Sequence, residues 1–551
     1  MDKQKRFIDA ACGRIKCDLV LKNANVVNVF LRKTEFGDVG IIDGTVVGIG
    51  SYEGEKELDL DGKYVTPSYY DTHLHIESSL VVPSEYLKYA VAHGVTSFNA
   101  DPHEIANVCG EDGLRFMLDS AKCEQADVHI MLPSCVPATP FDLIRQPIDG
   151  KTTRKLFSGG EFFGLGEMMN YPGVVNCDAD VLAKLAVADI RDGHAPCVTG
   201  KELNAYVGAG IMTDHECETA EEALDKIGRG MYVLMREGSR TKNLKELVGC
   251  VTPATLRRVL FCTDDRYIGE VIESGTIQNC IIKAVEYGLD PVDAVIIATL
   301  NAYECYGIKN KGAVAPGYCA DLVVTDELLP ERIAYVFKDG KMVAKDQDPL
   351  FEIPRARPDK VMGTVKIKPV TAQDFELAFC PDKPVIGTIP RSVATKKVYY
   401  ESQEGLNLCA VIDRHLGSGK IGKAYVDGFG LKGGAIAQTI GHDSHNITVL
   451  GDSPEDMATA VNALGVNGGM VIVRDGKVAA RMELPVAGLM SDKSASEAIA
   501  EHEIFERELS KLNAKGDAPF MLLGFLSLLV IPELKLGVEG LFDVTKFEYV
   551  G

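Results

Sequence analysis

"DTHLHIESSL", residues 71–80, puts two histidines two positions apart just after an apolar stretch, then a glutamate and two serines. On a strand, residues i and i+2 share a side, so His73 and His75 could reach one cation. The pair alone reads more readily as a polar strand end, and the rest of the chain must supply further ligands. Working outward, eight apolar runs each end in polar residues: "YDTHLH", "VTSFNADPHE", "VHIMLPSC", "FGLGEMMN", "ADIRDGHAP", "AGIMTDHE", "MYVLMREGS" and "RVLFCTDD". Helix-like stretches separate them. Eight strand–helix units over about 240 residues match a (β/α)8 TIM-like barrel, whose active site lies at the C-terminal ends of the strands.

Four further polar residues fall at those predicted strand ends. They are Glu167 in "FGLGEMMN", His194 in "RDGHAP", His215 in "IMTDHE" and Asp264 in "FCTDD". Imidazole with carboxylate suits Zn, Mn or Fe. Four histidines and two carboxylates exceed what one tetrahedral ion needs, and fit two adjacent cations bridged by a carboxylate. The chain has only 11 histidines, and four of them take these places.

The barrel, residues 67–310, has strand-rich segments on both sides. Residues 1–66 and 311–350 carry Val- and Ile-rich runs with Asp-Gly turns, such as "GDVGIIDGTVVGIG" and "ADLVVTDELLPERIAYVFKDG", and predict one small β-sandwich built from both flanks. A Pro-rich connection, "DQDPLFEIPRARPDK", leads to residues 359–551, which mix strands and helices as a separate α/β domain.

Composition narrows the function classes. The 551 residues are 46% hydrophobic and 25% charged, with a net charge of −21. So acidic a chain argues against nucleic-acid and anionic-membrane partners. The start lacks the apolar core of a signal peptide, which points to the cytoplasm. "FMLLGFLSLLVI", residues 520–531, is too short to span a bilayer and predicts a buried core segment. The 15 cysteines include no C-x-x-C pair and read as reduced thiols. "GFGLKG", residues 428–433, fits G-x-G-x-x-G but lacks the βαβ setting of a dinucleotide site. Ser78 and Ser79 lack the setting of a nucleophile elbow and are expected to cap the helix that follows, with Pro83 close by.

The order H-x-H, Glu, His, His, Asp along a barrel resembles the amidohydrolase superfamily. "HLHIESS", "DPHEIANV", "GLGEMMNYPGV", "DGHAP", "DHECET", "MREGS", "CTDDR", "GFGLKGGAIAQTIGHDSHNI" and "LPVAGLMSD" are similar to the bacterial and archaeal adenine deaminase family over nearly the whole chain. One departure is "TPSYYDTHLH", where that family has a Gly-Phe-Ile-type approach; it touches no proposed ligand. The resemblance implies hydrolysis of adenine to hypoxanthine and ammonia at a binuclear divalent centre of Mn2+ or Fe2+, with Zn2+ sharing the same ligand types. It implies His73 and His75 on the more buried ion, His194 and His215 on the other, Glu167 bridging and Asp264 completing the site.

Such a reaction needs a water activated at neutral pH, which metal binding achieves by bringing its pKa from 15.7 toward about 7. Asp264 is the expected base. For the proton at purine N1, Glu77 and Glu216 are the candidates, each equally readable as a residue that orients a histidine. His103, in "DPHE", could face the substrate or hold an additional cation. His442 and His445, in "GHDSH", join it as an additional site if the third domain folds over the barrel mouth and excludes water. A cyclic-amide hydrolase of the same superfamily is the first rival, though its usual bridging lysine is replaced here by Glu167. A catalytically silent purine-binding protein is the second. A homo-oligomer is expected on general grounds.

Overall fold

Eight short strands follow the eight apolar runs in the computed structural model, which describes residues 2–390, 392–514 and 518–550. They are β1 (Tyr69–Leu74), β2 (Val95–Ala100), β3 (Asp127–Ile130), β4 (Leu165–Met168), β5 (Arg191–Gly193), β6 (Thr213–Asp214), β7 (Tyr232–Arg236) and β8 (Val259–Cys262). All ladders among them are parallel: β1–β2–β3, β4–β5 and β6–β7–β8. The gaps are closed by bridges. Leu132 pairs with Leu165, the Met212 amide donates to the Arg191 carbonyl at 3.0 Å, and Leu74 pairs with Asp264, which joins β8 back to β1.

Every residue of β1 and β2 is buried. A parallel barrel strand is covered on both faces, so its sequence lacks clean alternation. Its polar groups are satisfied by the neighbouring β8: Thr72 Oγ1 donates to the Phe261 carbonyl at 2.7 Å, and Thr263 Oγ1 to Asp71 at 2.6 Å.

The helix after β1 spans Pro83–Ala92, with Pro at its first position and Val82 as N-cap. Ser78 and Ser79 therefore do not cap it, against expectation. They lie in a 3-10 turn, Ile76–Ser79, and Leu80 takes the left-handed conformation (φ 66°) before the helix begins. Ser79 Oγ donates back to the Ile76 carbonyl at 2.6 Å, while Ser78 Oγ donates to Asp265.

The two flanks join in one nine-stranded hydrogen-bonded ladder, with residues of both around a shared buried core. The cause is the long strand Cys17–Asn28, which pairs with Lys33–Ile42, Gly54–Asp59 and Tyr64–Pro67. Leu322–Thr325 then adds to Tyr64–Pro67, so the later segment extends the same ladder.

The C-terminal region is built on an eight-stranded, mostly antiparallel sheet ordered 395–398, 385–388, 421–427, 407–412, 447–451, 434–438, 469–474, 477–483. "GFGLKG" is a loop between two of its strands, with no helix after it. One buried apolar cluster runs from Leu87, Phe98 and Phe261 in the barrel to Phe429, Leu484 and Leu523 in this region. Each large side chain so buried stabilises the joint by roughly 1.5–3 kcal/mol before entropy. Polar ties cross it too: the Ser491 amide donates to the Leu80 carbonyl at 2.8 Å, and Asn446 to the Leu143 carbonyl at 3.0 Å. None of the helices among the described residues is long and apolar enough to cross a membrane.

Candidate metal centre

The parallel ladder explains why residues so far apart in sequence converge. Each strand's C-terminal end opens on the same rim, and β8 runs beside β1. The Asp264 amide donates to the His73 carbonyl at 3.0 Å, and the His75 amide to the Asp264 carbonyl at 3.1 Å. Asp264 itself has positive φ (58°), which turns the chain at the strand end.

Glu167 sits at the centre. Its Oε1 lies 3.9 Å from His73 Nε2 and 3.4 Å from His75 Nε2. Its Oε2 lies 2.8 Å from His194 Nδ1 and 3.4 Å from His215 Nε2. One carboxylate thus turns an oxygen to each histidine pair. Asp264 Oδ1 is 3.2 Å from His75 Nε2 and 3.8 Å from His73 Nε2. All six side chains are buried.

Their surroundings fix which nitrogens are available. His75 Nδ1 lies 2.8 Å from the Asp101 carbonyl, so it carries the proton and leaves Nε2 as a lone pair toward the centre. Asp101 also accepts the Glu167 amide at 2.8 Å, and Asn243 donates to the His215 carbonyl at 3.0 Å. Burial, followed by the neighbouring His215, holds the His73 pKa well below its ordinary value. The rings of His73 and His215 stack at 4.1 Å. His73 Nε2 is buried with no hydrogen-bond partner, an orphaned donor atom that suits a cation. The triplets His73–Glu167–His215 and His73–His75–Asp264 each gather ligand atoms within 4.8 Å of one another. This donor set fits a pair of divalent cations.

The same cavity is walled by Glu216, Arg236, Thr241, Asp265, Met169 and, from the C-terminal region, Val393, His442, Asp443, Phe525, Leu528 and Ile531. Glu216 Oε1 lies 3.4 Å from His215 Nε2. Burial would raise the Glu216 pKa, but Arg236 beside it outweighs that and lowers it. Glu77, the other expected proton donor, does not line the cavity. Its Oε1 accepts the Ile105 amide at 3.1 Å, and burial with nearby Glu104 pushes its pKa up to about 7. His103 bridges outward: its Nδ1 is 3.4 Å from Glu167 Oε1 and its Nε2 3.8 Å from Asp443 Oδ1. His442 faces the cavity, whereas His445 is fully buried behind it.

Arg236 is the cavity residue that reading the sequence missed. Its Nη1 donates to Asp264 Oδ2 at 2.6 Å and also to Glu216. It stands in the quoted "MREGS", but an arginine after an apolar run reads as a solvated strand end. Glu104 was likewise passed over beside His103.

Comparison with known proteins agrees with this geometry. Residues 64–344 match the amidohydrolase family model, and residues 387–548 match the adenine deaminase C-terminal domain. The chain is 44% identical to the adenine deaminase of Clostridium acetobutylicum over 98% of this chain and 99% of that protein. It is 44% identical to adenine deaminase 2 of Desulfotalea psychrophila over 99% of this chain and 98% of that one. With the adenine deaminase of Halalkalibacterium halodurans it shares 41% identity over 100% of this chain and 98% of that protein. A barrel with this set of histidines and carboxylates, joined to that C-terminal domain, belongs to the adenine deaminase family of the amidohydrolases.

Proposed function

We propose that this chain hydrolyses adenine to hypoxanthine and ammonia. The observation that carries the reading is Glu167, with one oxygen toward His73 and His75 and the other toward His194 and His215. These five residues with Asp264 would hold two divalent cations, Mn2+ or Fe2+ by the family resemblance. When bound, the cations supply Lewis acidity that brings a water's pKa from 15.7 toward about 7.

The chain's own groups handle two protons. The water's first proton passes through Glu216 to ring N1 as the oxygen attacks C6. Arg236 keeps Glu216 ionised beforehand, so that proton comes from the water. Asp264 takes the second proton from the new C6 hydroxyl and hands it to the departing amine, leaving the carbonyl of hypoxanthine. Arg236 holds Asp264 and Glu216 in register for this relay. Met169, Val393, Phe525, Leu528 and Ile531 offer the flat purine an apolar wall that excludes bulk water. We assign the C-terminal region the role of a cover over the barrel mouth.

Ammonia release from adenine by Mn2+- or Fe2+-loaded protein tests the reading, with hydantoin and dihydroorotate as parallel substrates. Turnover of adenine alone is expected. Hydrolysis of a cyclic amide with adenine untouched would overturn it.

A further inference from the structure

A second set of ligand-type side chains lies behind the binuclear centre, beyond His103. Glu104 is on the helix His103–Cys109 that follows β2; His442 and His445 are in the loop between the C-terminal strands 434–438 and 447–451. All three are buried, with 1%, 5% and 0% exposure, respectively. Glu104 Oε1 is 3.0 Å from His442 Nδ1, and Glu104 Oε2 is 3.5 Å from His445 Nε2. The three sets of ligand atoms lie within 4.8 Å of one another. Ligands about 2.1 Å from one tetrahedral ion sit about 3.4 Å apart, and the two Glu104–histidine separations, 3.0 and 3.5 Å from its two oxygens, are of that order.

Hydrogen bonding within the protein leaves this cluster unsatisfied. Both ring nitrogens of fully buried His445 lack a hydrogen-bond partner. A buried imidazole with neither nitrogen engaged is costly, and such a group in a native fold calls for a missing partner. His442 is held in place by Phe525, whose ring stacks on it at 4.4 Å with an interplanar angle of 6°.

We propose that Glu104, His442 and His445 bind a third divalent transition-metal cation, separate from the pair around Glu167, that ties the C-terminal region to the barrel. Two imidazoles and one carboxylate suit a first-row ion such as Zn2+, Fe2+ or Mn2+, with water filling the remaining positions. Its ligands come from both parts of the chain, so it acts as a staple under the cover of the site.

The test is elemental analysis of wild-type and His445→Ala protein, both dialysed after metal loading, with anomalous diffraction from wild-type crystals. Three equivalents per chain are expected for wild type and two for His445→Ala, together with an anomalous peak between Glu104 and His445. Wild type saturating at two equivalents, with both peaks beside Glu167 and none at Glu104, would overturn the proposal. So would His445→Ala retaining all three. If His445→Ala does not fold, the wild-type map decides alone. Loss of the peaks beside Glu167 would instead count against the binuclear reading, so the two failures are distinguishable.

Discussion

Arg236 spans two carboxylates with a single guanidinium, donating from Nη1 to Asp264 and Glu216 and from Nη2 to Glu216. A lysine is a compact point charge without the planar fork, so Arg236→Lys should lower kcat by roughly 10²-fold while the protein stays folded. Steady-state kinetics beside a thermal melt checks this. Arg236→Met removes the cation shared by Asp264 and Glu216 and should lower stability, read by denaturant titration. Glu216→Gln should depress kcat by roughly 10²-fold or more. Glu77→Gln should affect it far less, because Glu77 is turned to the Ile105 amide rather than the cavity. Equal losses in the two variants would remove Glu216 from the relay. At this scale the histidines were legible, since few other roles suit imidazoles at successive strand ends. Arg236 was not, because its partners come from the ends of β6 and β8, and only the ladder brings them beside β7.

At the scale of elements, the eight strands were legible from their apolar runs and polar ends, although β6 is only two residues long. The run 520–531 was read as core and is largely buried. Its helix Pro519–Phe525 and the turns after it also bring Phe525, Leu528 and Ile531 to the cavity wall. A hydrophobic run carries no sign of which neighbour it will cover, so that second role was hidden. Lys535 anchors this segment: its buried Nζ donates to the Phe525 carbonyl at 2.9 Å and the Val393 carbonyl at 2.7 Å. Burial brings its pKa down to about 7 from 10.5. Between those values the unfolded chain carries a proton that the folded one lacks, so this group makes stability rise with pH across that window. Below about pH 7 its folded form is charged and the benefit is gone. Denaturant titrations of wild type and Lys535→Met should show wild type gaining on the variant from pH 7 to 9, by at most about 1.4 kcal/mol per pH unit. A gap independent of pH would mean that the amine remains charged.

For the molecule as a whole, the barrel and the C-terminal region share one buried cluster and one cavity wall. That both flanks build one β domain was legible from their Val- and Ile-rich runs; that Cys17–Asn28 would pair with three partners was not. How the C-terminal region docks was not readable, because the ties run between segments such as Ser491 and Leu80 whose spacing in sequence carries no signal. Chelation should abolish deamination and lower the melting temperature, and Mn2+ or Fe2+ should restore both, since cations held only by the folded chain stabilise it. Recovery of activity without added metal would count against that. The most direct measurement is an anomalous difference map from Mn2+-loaded crystals. Two peaks flanking Glu167 are expected, one beside His73, His75 and Asp264 and one beside His194 and His215. A single peak, or none within reach of Glu167, would contradict the binuclear centre.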